Sequence, residues 1–252
     1  MRTSACRAAA LVVMTLVPAC AAYSAELAVL ASNGVKAALE ALGPAFERES
    51  GHSLRVRFGL AAVLKREIEG GATFDVAILT RSGVAELAQQ GKLDAGSEVD
   101  IARSAVGIGI RAGAARPDIA TPEALKRTLL AARSIGWARE GASGSYFAGL
   151  LERMGIADEI MPKAVLAPAG ADVGAMLASG KIELGALLVN ELLAAPGVEV
   201  VGPLPPELQS YTVFTAAAAA AARDRAAAKA LIRFLSSPDA RAVFKAKGQE
   251  PG

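Results

Sequence analysis

The sequence predicts an α/β protein of two lobes, each a mainly parallel sheet flanked by helices. Three observations carry that prediction. Short apolar segments alternate with segments of helical periodicity from residue 26 to the C-terminus. Two extended segments, residues 99–110 and 211–215, stand between the alternating groups, so the chain crosses twice between two lobes and leaves a cleft. A single doubly wound sheet would have to absorb about nine strands, above the usual range of roughly four to six. Aromatic residues make up 4% of the 252, so the core is built mainly from Ala, Val, Leu and Ile.

Residues 26–31 (ELAVLA) read as a short strand. Ser32 and Asn33 are N-cap residues, and Val35, Ala38, Leu39, Leu42 and Phe46 then recur at helical spacing. Pro44 is expected to kink that helix and Gly51 to end it. Leu54, Val56 and Phe58 alternate with Arg55 and Arg57, a strand with one exposed face. A second helix opens at Gly59, runs through Leu64 and Ile68, and closes at Gly70-Gly71. Residues 74–79 (FDVAIL) form a buried strand, followed by a helix through Val84, Leu87 and Ala88 to Gly91. This order requires right-handed crossovers and parallel pairing.

After the long segment 99–110, Thr121-Pro122-Glu123 gives an N-cap with Pro at the first helical position. Residues 134–138 are a strand, and 143–154 a helix that starts in the run Gly141-Ala142-Ser143-Gly144-Ser145. Residues 165–167 are a strand, Val173, Met176 and Leu177 mark a helix, and 184–189 (LGALLV) is a buried strand. Residues 198–201 and 211–215 are further strands around a Pro-rich loop, and two helices close the chain. The expected lobes are 26–104 with 208–252, and 105–207; no repeat of constant period is present.

The first 25 residues read as an export signal. Arg2 and Arg7 precede an apolar run over 8–17, too short to span a bilayer, and small residues follow. Both cysteines, Cys6 and Cys20, lie there, so cleavage after Cys20 leaves no thiol. Val17-Pro18-Ala19-Cys20 also has the outline of a weak lipobox, and membrane association is expected only if Cys20 is lipidated. The expected location is periplasmic, and the expected state a monomer. The formal charge of +2 comes from 27 Lys and Arg against 25 Asp and Glu, and Arg2 and Arg7 account for the excess. A neutral mature chain without basic clusters excludes nucleic acid as a partner, because such binding rests on phosphate neutralisation. One His excludes a multi-His metal centre, and no metal or cofactor is expected. Gly141-x-x-Gly144 is neither a Walker loop nor a dinucleotide fingerprint.

Ligands of open α/β sheets bind beyond the carboxyl ends of strands, at the loops that open helices. Those loops are Ser32-Asn33-Gly34, Gly59 to Ala62 and Thr80-Arg81-Ser82 in the first group. In the second they are Gly141 to Tyr146, Gly170-Ala171-Asp172 and Asn190-Glu191. Free N–H groups and the helix dipole there favour an anion, and small side chains let it approach. The candidate contacts are Ser32, Asn33, Gly59, Leu60, Ala61, Thr80, Arg81, Ser143, Gly144, Ser145, Tyr146 and Asn190. For any one loop, ordinary capping is the plainer reading; their coincidence on one edge of both lobes favours binding. His52 reads as a turn residue, Trp137 as core, and Arg81 and Arg139 as solvated charges or anion contacts.

The chain over about 26–250 resembles the periplasmic molybdate-binding proteins of ABC transporters, in the type II solute-binding class. The resemblance lies in the order of Phe46-Glu47-Arg48-Glu49-Ser50-Gly51-His52, Val56-Arg57-Phe58-Gly59, Ile68-Glu69-Gly70-Gly71-Ala72 with Asp75-Val76-Ala77-Ile78, Gly202-Pro203-Leu204-Pro205 and Phe234-Leu235-Ser236-Ser237-Pro238. It implies two lobes closing on a small oxyanion and a membrane permease as partner. Molybdate sites of this family use Ser hydroxyls after the first two strands. Ser32 keeps one, but Gly59-Leu60-Ala61-Ala62 has none, and the family's later Tyr and Asp correspond to Leu188 and Asn190. Fewer hydroxyls and a nearby Arg81 suit a larger carboxylate, so weak molybdate binding is expected. The sequence is also similar to a divergent branch that includes aconitate isomerases. An allylic proton shift needs a base, for which Tyr146, Glu191 and His52 are the nearby candidates and Tyr146 the first choice.

Overall fold

The structure is a computed structural model that describes residues 24–252. The export signal, apart from its last two residues, and the lipidation of Cys20 lie outside the described residues.

Three βα units build the first sheet: β1 (Glu26–Ser32) with α1 (Lys36–Ser50), β2 (Ser53–Gly59) with α2 (Ala61–Glu69), and β3 (Val76–Thr80) with α3 (Arg81–Gln89). A 3-10 turn, Asn33–Val35, links β1 to α1. The strands pair in parallel in the order β2-β1-β3, as crossover connections require. β1 shows the period of two. Leu27, Val29 and Ala31 join the larger core, whereas Leu30 packs on the opposite face with Leu64, Ile68 and Val84. α1 continues through Pro44, and Gly51 ends it at φ +73°, a left-handed backbone that only glycine adopts freely.

β4 (Val99–Arg111) is the shared strand. Beyond it lie α4 (Pro122–Ala131), β5 (Ile135–Ala138), α5 (Ala142–Arg153), α6 (Ala157–Ile160), β6 (Ala164–Ala167), α7 (Gly170–Ala178), β7 (Leu184–Leu188), α8 (Val189–Ala194) and β8 (Val198–Pro203). The chain returns through β9 (Tyr211–Ala218) and ends in α9 (Arg225–Leu235) and α10 (Pro238–Ala246). Thr121 caps α4 as expected, its hydroxyl accepting the Ala124 N–H at 3.2 Å. The second helix starts at Ala61 rather than Gly59. The run read as a strand to Val189 ends one residue earlier, because Val189 already turns into α8.

Residues 99–105 of β4 pair with β9, and 106–111 with β7 and β8, all antiparallel. The hydrogen-bonded path is therefore continuous, β2-β1-β3-β9-β4-β7-β5-β6, yet it is two sheets meeting along one strand. Gln209 fixes the crossing point. Its amide accepts from Val106 N at 3.0 Å and Ser210 N at 2.8 Å, and donates to the carbonyls of Val106 at 3.1 Å and Leu204 at 3.2 Å. β9 runs three residues past the strand expected at 211–215: Ala216, Ala217 and Ala218 are fully buried and pair with β3.

Candidate functional site

The parallel strands β1, β2 and β3 of one sheet and β5, β6 and β7 of the other end on the same cavity, of about 330 Å³. Ser32, Asn33, Leu60, Ala61, Thr80 and Ser82 line it from the first lobe; Gly141, Ser143, Ser145, Gly170, Leu188 and Glu191 line it from the second. Each residue sits where a strand gives way to a helix, so backbone N–H groups and positive dipole ends are turned toward the cavity.

Capping leaves many of those donors unused. Ser32 accepts the Gly34 N–H and Thr80 the Gly83 N–H, both at 3.3 Å. By contrast α2, α5 and α7 begin after Leu60, Gly141 and Ala169, none of which supplies a side-chain acceptor to its helix. Ser143 is buried and lines the cavity, and its hydroxyl makes no hydrogen bond among the described residues. Although the residue is buried as a whole, its hydroxyl keeps access to the cavity and is free to donate to whatever fills it.

The charges around the cavity are mostly acidic. Lys65 is the one cation among its described lining residues, and Glu86, Glu140 and Glu191 are the acids. Lys65 is held by Glu86 at 2.7 Å and Glu69 at 2.9 Å, and those hydrogen bonds, Glu86's first, raise its pKa. Glu140 meets Arg66 across the mouth at 2.7 Å, joining the two lobes. Burial pushes Glu191 up to about 7, against the opposing pull of the Leu188 N–H. Gly170 leaves room for it: a Cβ there would stand 3.1 Å from the Glu191 Oε1.

The structure thus brings Ser32, Asn33, Leu60, Ala61, Thr80, Ser143 and Ser145 together and leaves five other candidates outside the lining. Arg81, expected as the anion's cation, turns outward and pairs with Asp100, which also accepts from Thr215 Oγ1 at 2.5 Å. Tyr146, the first choice of base, is engaged elsewhere: its hydroxyl donates to the Leu208 carbonyl at 2.8 Å, and Arg153 lies 5.1 Å over its ring. Gly59 packs on Leu64, 3.1 Å from where a Cβ would stand. Gly144 lies against the Ala138 carbonyl, which a Cβ would overlap, so it lets α5 sit on β5. Asn190 is a strut: Nδ2 donates to the Gly34 carbonyl at 2.7 Å and Oδ1 accepts from Ser104 Oγ at 2.6 Å, tying α8 to the first lobe. His52 accepts the Ala25 N–H at 3.1 Å, and Trp137 packs edge-on against Phe147 at 5.4 Å, both structural.

Sequence reasoning passed over Lys65, Glu86 and Glu140 and did not count Glu191 among the contacts. A signal for Lys65 existed: it stands four residues after Ala61, one turn into α2 and so on the same face.

Comparison with known proteins follows this geometry. Residues 27–250 match the family model described as bacterial extracellular solute-binding protein. An aconitate isomerase from Pseudomonas sp. is 31% identical over 235 residues, covering 89% of this chain and 87% of that protein. The molybdate-binding protein ModA of Azotobacter vinelandii is 26% identical over 240 residues, covering 91% and 92%. Among solved structures, the periplasmic molybdate-binding protein of Azotobacter vinelandii superposes with a TM-score of 0.76 at 20% identity, over 90% of this chain and 99% of that one. That last likeness establishes the two-lobe fold. The chain belongs to the bacterial extracellular solute-binding protein family.

Proposed function

We propose that this member of the solute-binding family captures a small carboxylate or oxyanion between its lobes, in the periplasm, and delivers it to an ABC transporter permease. One observation carries the reading: uncapped helix N-termini from both lobes and the partnerless hydroxyl of Ser143 converge on one cavity. The lobes are assigned as 26–104 with 208–252, and 105–207; β4 changes partners between Ala105 and Val106, one residue from that boundary. The chain works as a monomer in this reading, since the site is built within one chain. At about 330 Å³ the cavity is at the small end of the range of small-molecule sites, about 300–1,000 Å³, and roomier than a compact tetrahedral dianion needs. With Leu60, Ala61 and Ala62 where hydroxyls would serve molybdate, a carboxylate is the favoured class.

Thermal shift against oxyanions and di- and tricarboxylates tests the reading. The account expects a rise in melting temperature that grows with carboxylate concentration, and weak or no stabilisation by molybdate. A flat response across the panel contradicts the receptor function; tight molybdate binding by calorimetry replaces the carboxylate with the oxyanion.

A second reading, a tricarboxylate isomerase, is favoured by the 31% identity to the aconitate isomerase together with a carboxyl in the cleft whose pKa sits near neutrality. Glu191 replaces Tyr146 as its proton-transferring group. Interconversion of cis- and trans-aconitate followed in the proton spectrum decides between turnover and simple binding.

A further inference from the structure

Glu191 is a carboxyl in a cavity whose helix N-termini turn backbone N–H donors toward it. It is the third helical residue of α8 and lines the same cavity as Ser32, Asn33 and Ser143. Among the described residues no cation pairs with it. The charged groups near it on neighbouring elements are already engaged. Lys36 on α1 pairs with Glu40 at 3.8 Å, Lys65 on α2 with Glu86 on α3, and Glu140 before α5 with Arg66. Asp172 on α7 accepts the Ala169 N–H at 3.0 Å. Gly170 presents no side chain to shield it.

We propose that the cleft takes up one proton together with its anion and that Glu191 holds it. The proposal rests on the receptor reading above and adds how that site handles charge. Two like charges in one cavity disfavour each other's ionised form, so an arriving anion drives Glu191 neutral. Protonation also turns the carboxylate, which only accepts, into an O–H donor aimed at the ligand. The backbone N–H groups and Ser143 then have no competing negative charge. Burial already holds Glu191 near neutral pH, where a small push completes the change. Affinity is thereby linked to pH: nearly level well below pH 7, then falling up to tenfold per unit as pH rises above about 7.

The test is calorimetric titration of the exported chain with trans-aconitate, and separately with molybdate, between pH 6 and 8.5 in two buffers of different ionisation enthalpy. The expected result for the probe that binds is little proton uptake at pH 6 and close to one proton per ligand at pH 8. Glu191→Gln, which cannot ionise, is expected to lose both the uptake and the slope of affinity against pH. Binding of either probe with no uptake anywhere in that range overturns the proposal and leaves the receptor reading intact. Absence of binding by both probes at every pH, and by the wider carboxylate panel, overturns the receptor reading and this one with it. If Glu191→Gln does not fold, the buffer comparison on the unaltered chain still decides.

Discussion

On the first lobe's side of the cleft, Ser32 and Thr80 each accept an N–H of the turn or helix they precede, and Lys65 is tied to two glutamates. On the second lobe's side, Gly141 and Ala169 offer no acceptor, and among the described residues Ser143 caps nothing and Glu191 has no cation. Two of the three helix starts on the first rim are capped by their own side chains and only α2 is not, whereas α5 and α7 on the second both keep donors in hand. A surface that satisfies its own hydrogen bonds gains little from a ligand, whereas one that leaves them unmet is stabilised by it. Ser32 and Thr80 are not idle, since a hydroxyl that accepts a cap N–H still has its own O–H to donate. The difference assigns most of the anion recognition to the second lobe and the fixed frame to the first.

The largest break in that comparison is Gly144→Ala. A Cβ there overlaps the Ala138 carbonyl, so the start of α5 must shift, taking Ser143 and the unused N–H groups with it. Overpacking of this kind costs up to about 3 kcal/mol. Denaturant unfolding should show that loss, and ligand binding should fall with it. The equivalent change on the first rim, Gly83→Ala, meets the Thr80 hydroxyl at 3.2 Å and the flexible Lys65 stem at 3.8 Å and should cost far less.

Next come the two serines. Ser143→Ala removes a donor and no cap, so it should weaken carboxylate binding by about 1.5–3 kcal/mol, roughly 10- to 150-fold, with stability nearly unchanged. Ser32→Ala removes a donor and a cap, so it should weaken binding and also cost about 1 kcal/mol of stability. Calorimetry and melting curves on the pair separate the rims. Equal stability losses for both would break the comparison.

The sequence made half of this legible. Ser32 and Thr80 stand directly after apolar strands, where a cap is the obvious role, and β1, β3 and the Thr121 cap follow from period and composition. Ser143 was visible because Gly141 to Ser145 is a run of small residues ahead of a helix. The pairing of Arg81 was not legible, because its partner, Asp100, lies 19 residues on in β4. Tyr146 misled because Leu208 reaches it from 62 residues away. The environment of Glu191 is also non-local: Ser32, Asn33 and Gly170, distant in the chain, line the same cavity, and no local pattern encodes that.

A smaller effect concerns pH and the ligand-free fold. Burial pushes Glu191 up to about 7, above its ordinary 4.5, so the folded state holds that proton more tightly than the unfolded chain. Its contribution is fully present below about pH 4.5 and is lost as pH rises through 7, amounting to about 2 kcal/mol once the cavity's access to solvent is allowed for. Asp75 in the first lobe behaves oppositely. Burial alone would raise its pKa, but the Arg223 guanidinium and the N–H groups of Ala28 and Arg223 together hold it below its ordinary 3.8. Its contribution is present above that value and is lost as pH falls through the lowered one. Glu191→Gln should therefore flatten the alkaline side of a plot of melting temperature against pH and leave the acid side in place. An unchanged alkaline side would contradict the burial of Glu191.

The smallest effects lie at the edges. Arg66→Ala removes an exposed ion pair across the mouth and should change affinity by less than about fivefold, since such pairs are worth about 0–1 kcal/mol. Tyr146→Phe should cost about 1 kcal/mol of stability through the lost Leu208 bond and leave ligand binding as it was.

The claim that both rims hold one anion, with the second supplying most of the donors, is tested most directly by the backbone amide spectrum of the labelled protein titrated with trans-aconitate. The account predicts the largest shifts at the N–H groups of Ala142 to Gly144 and of Gly170 and Ala171, which no helix bond uses, and smaller ones at Ala61 and Ala62. Shifts confined to the first rim, or lying outside the cavity altogether, would contradict it.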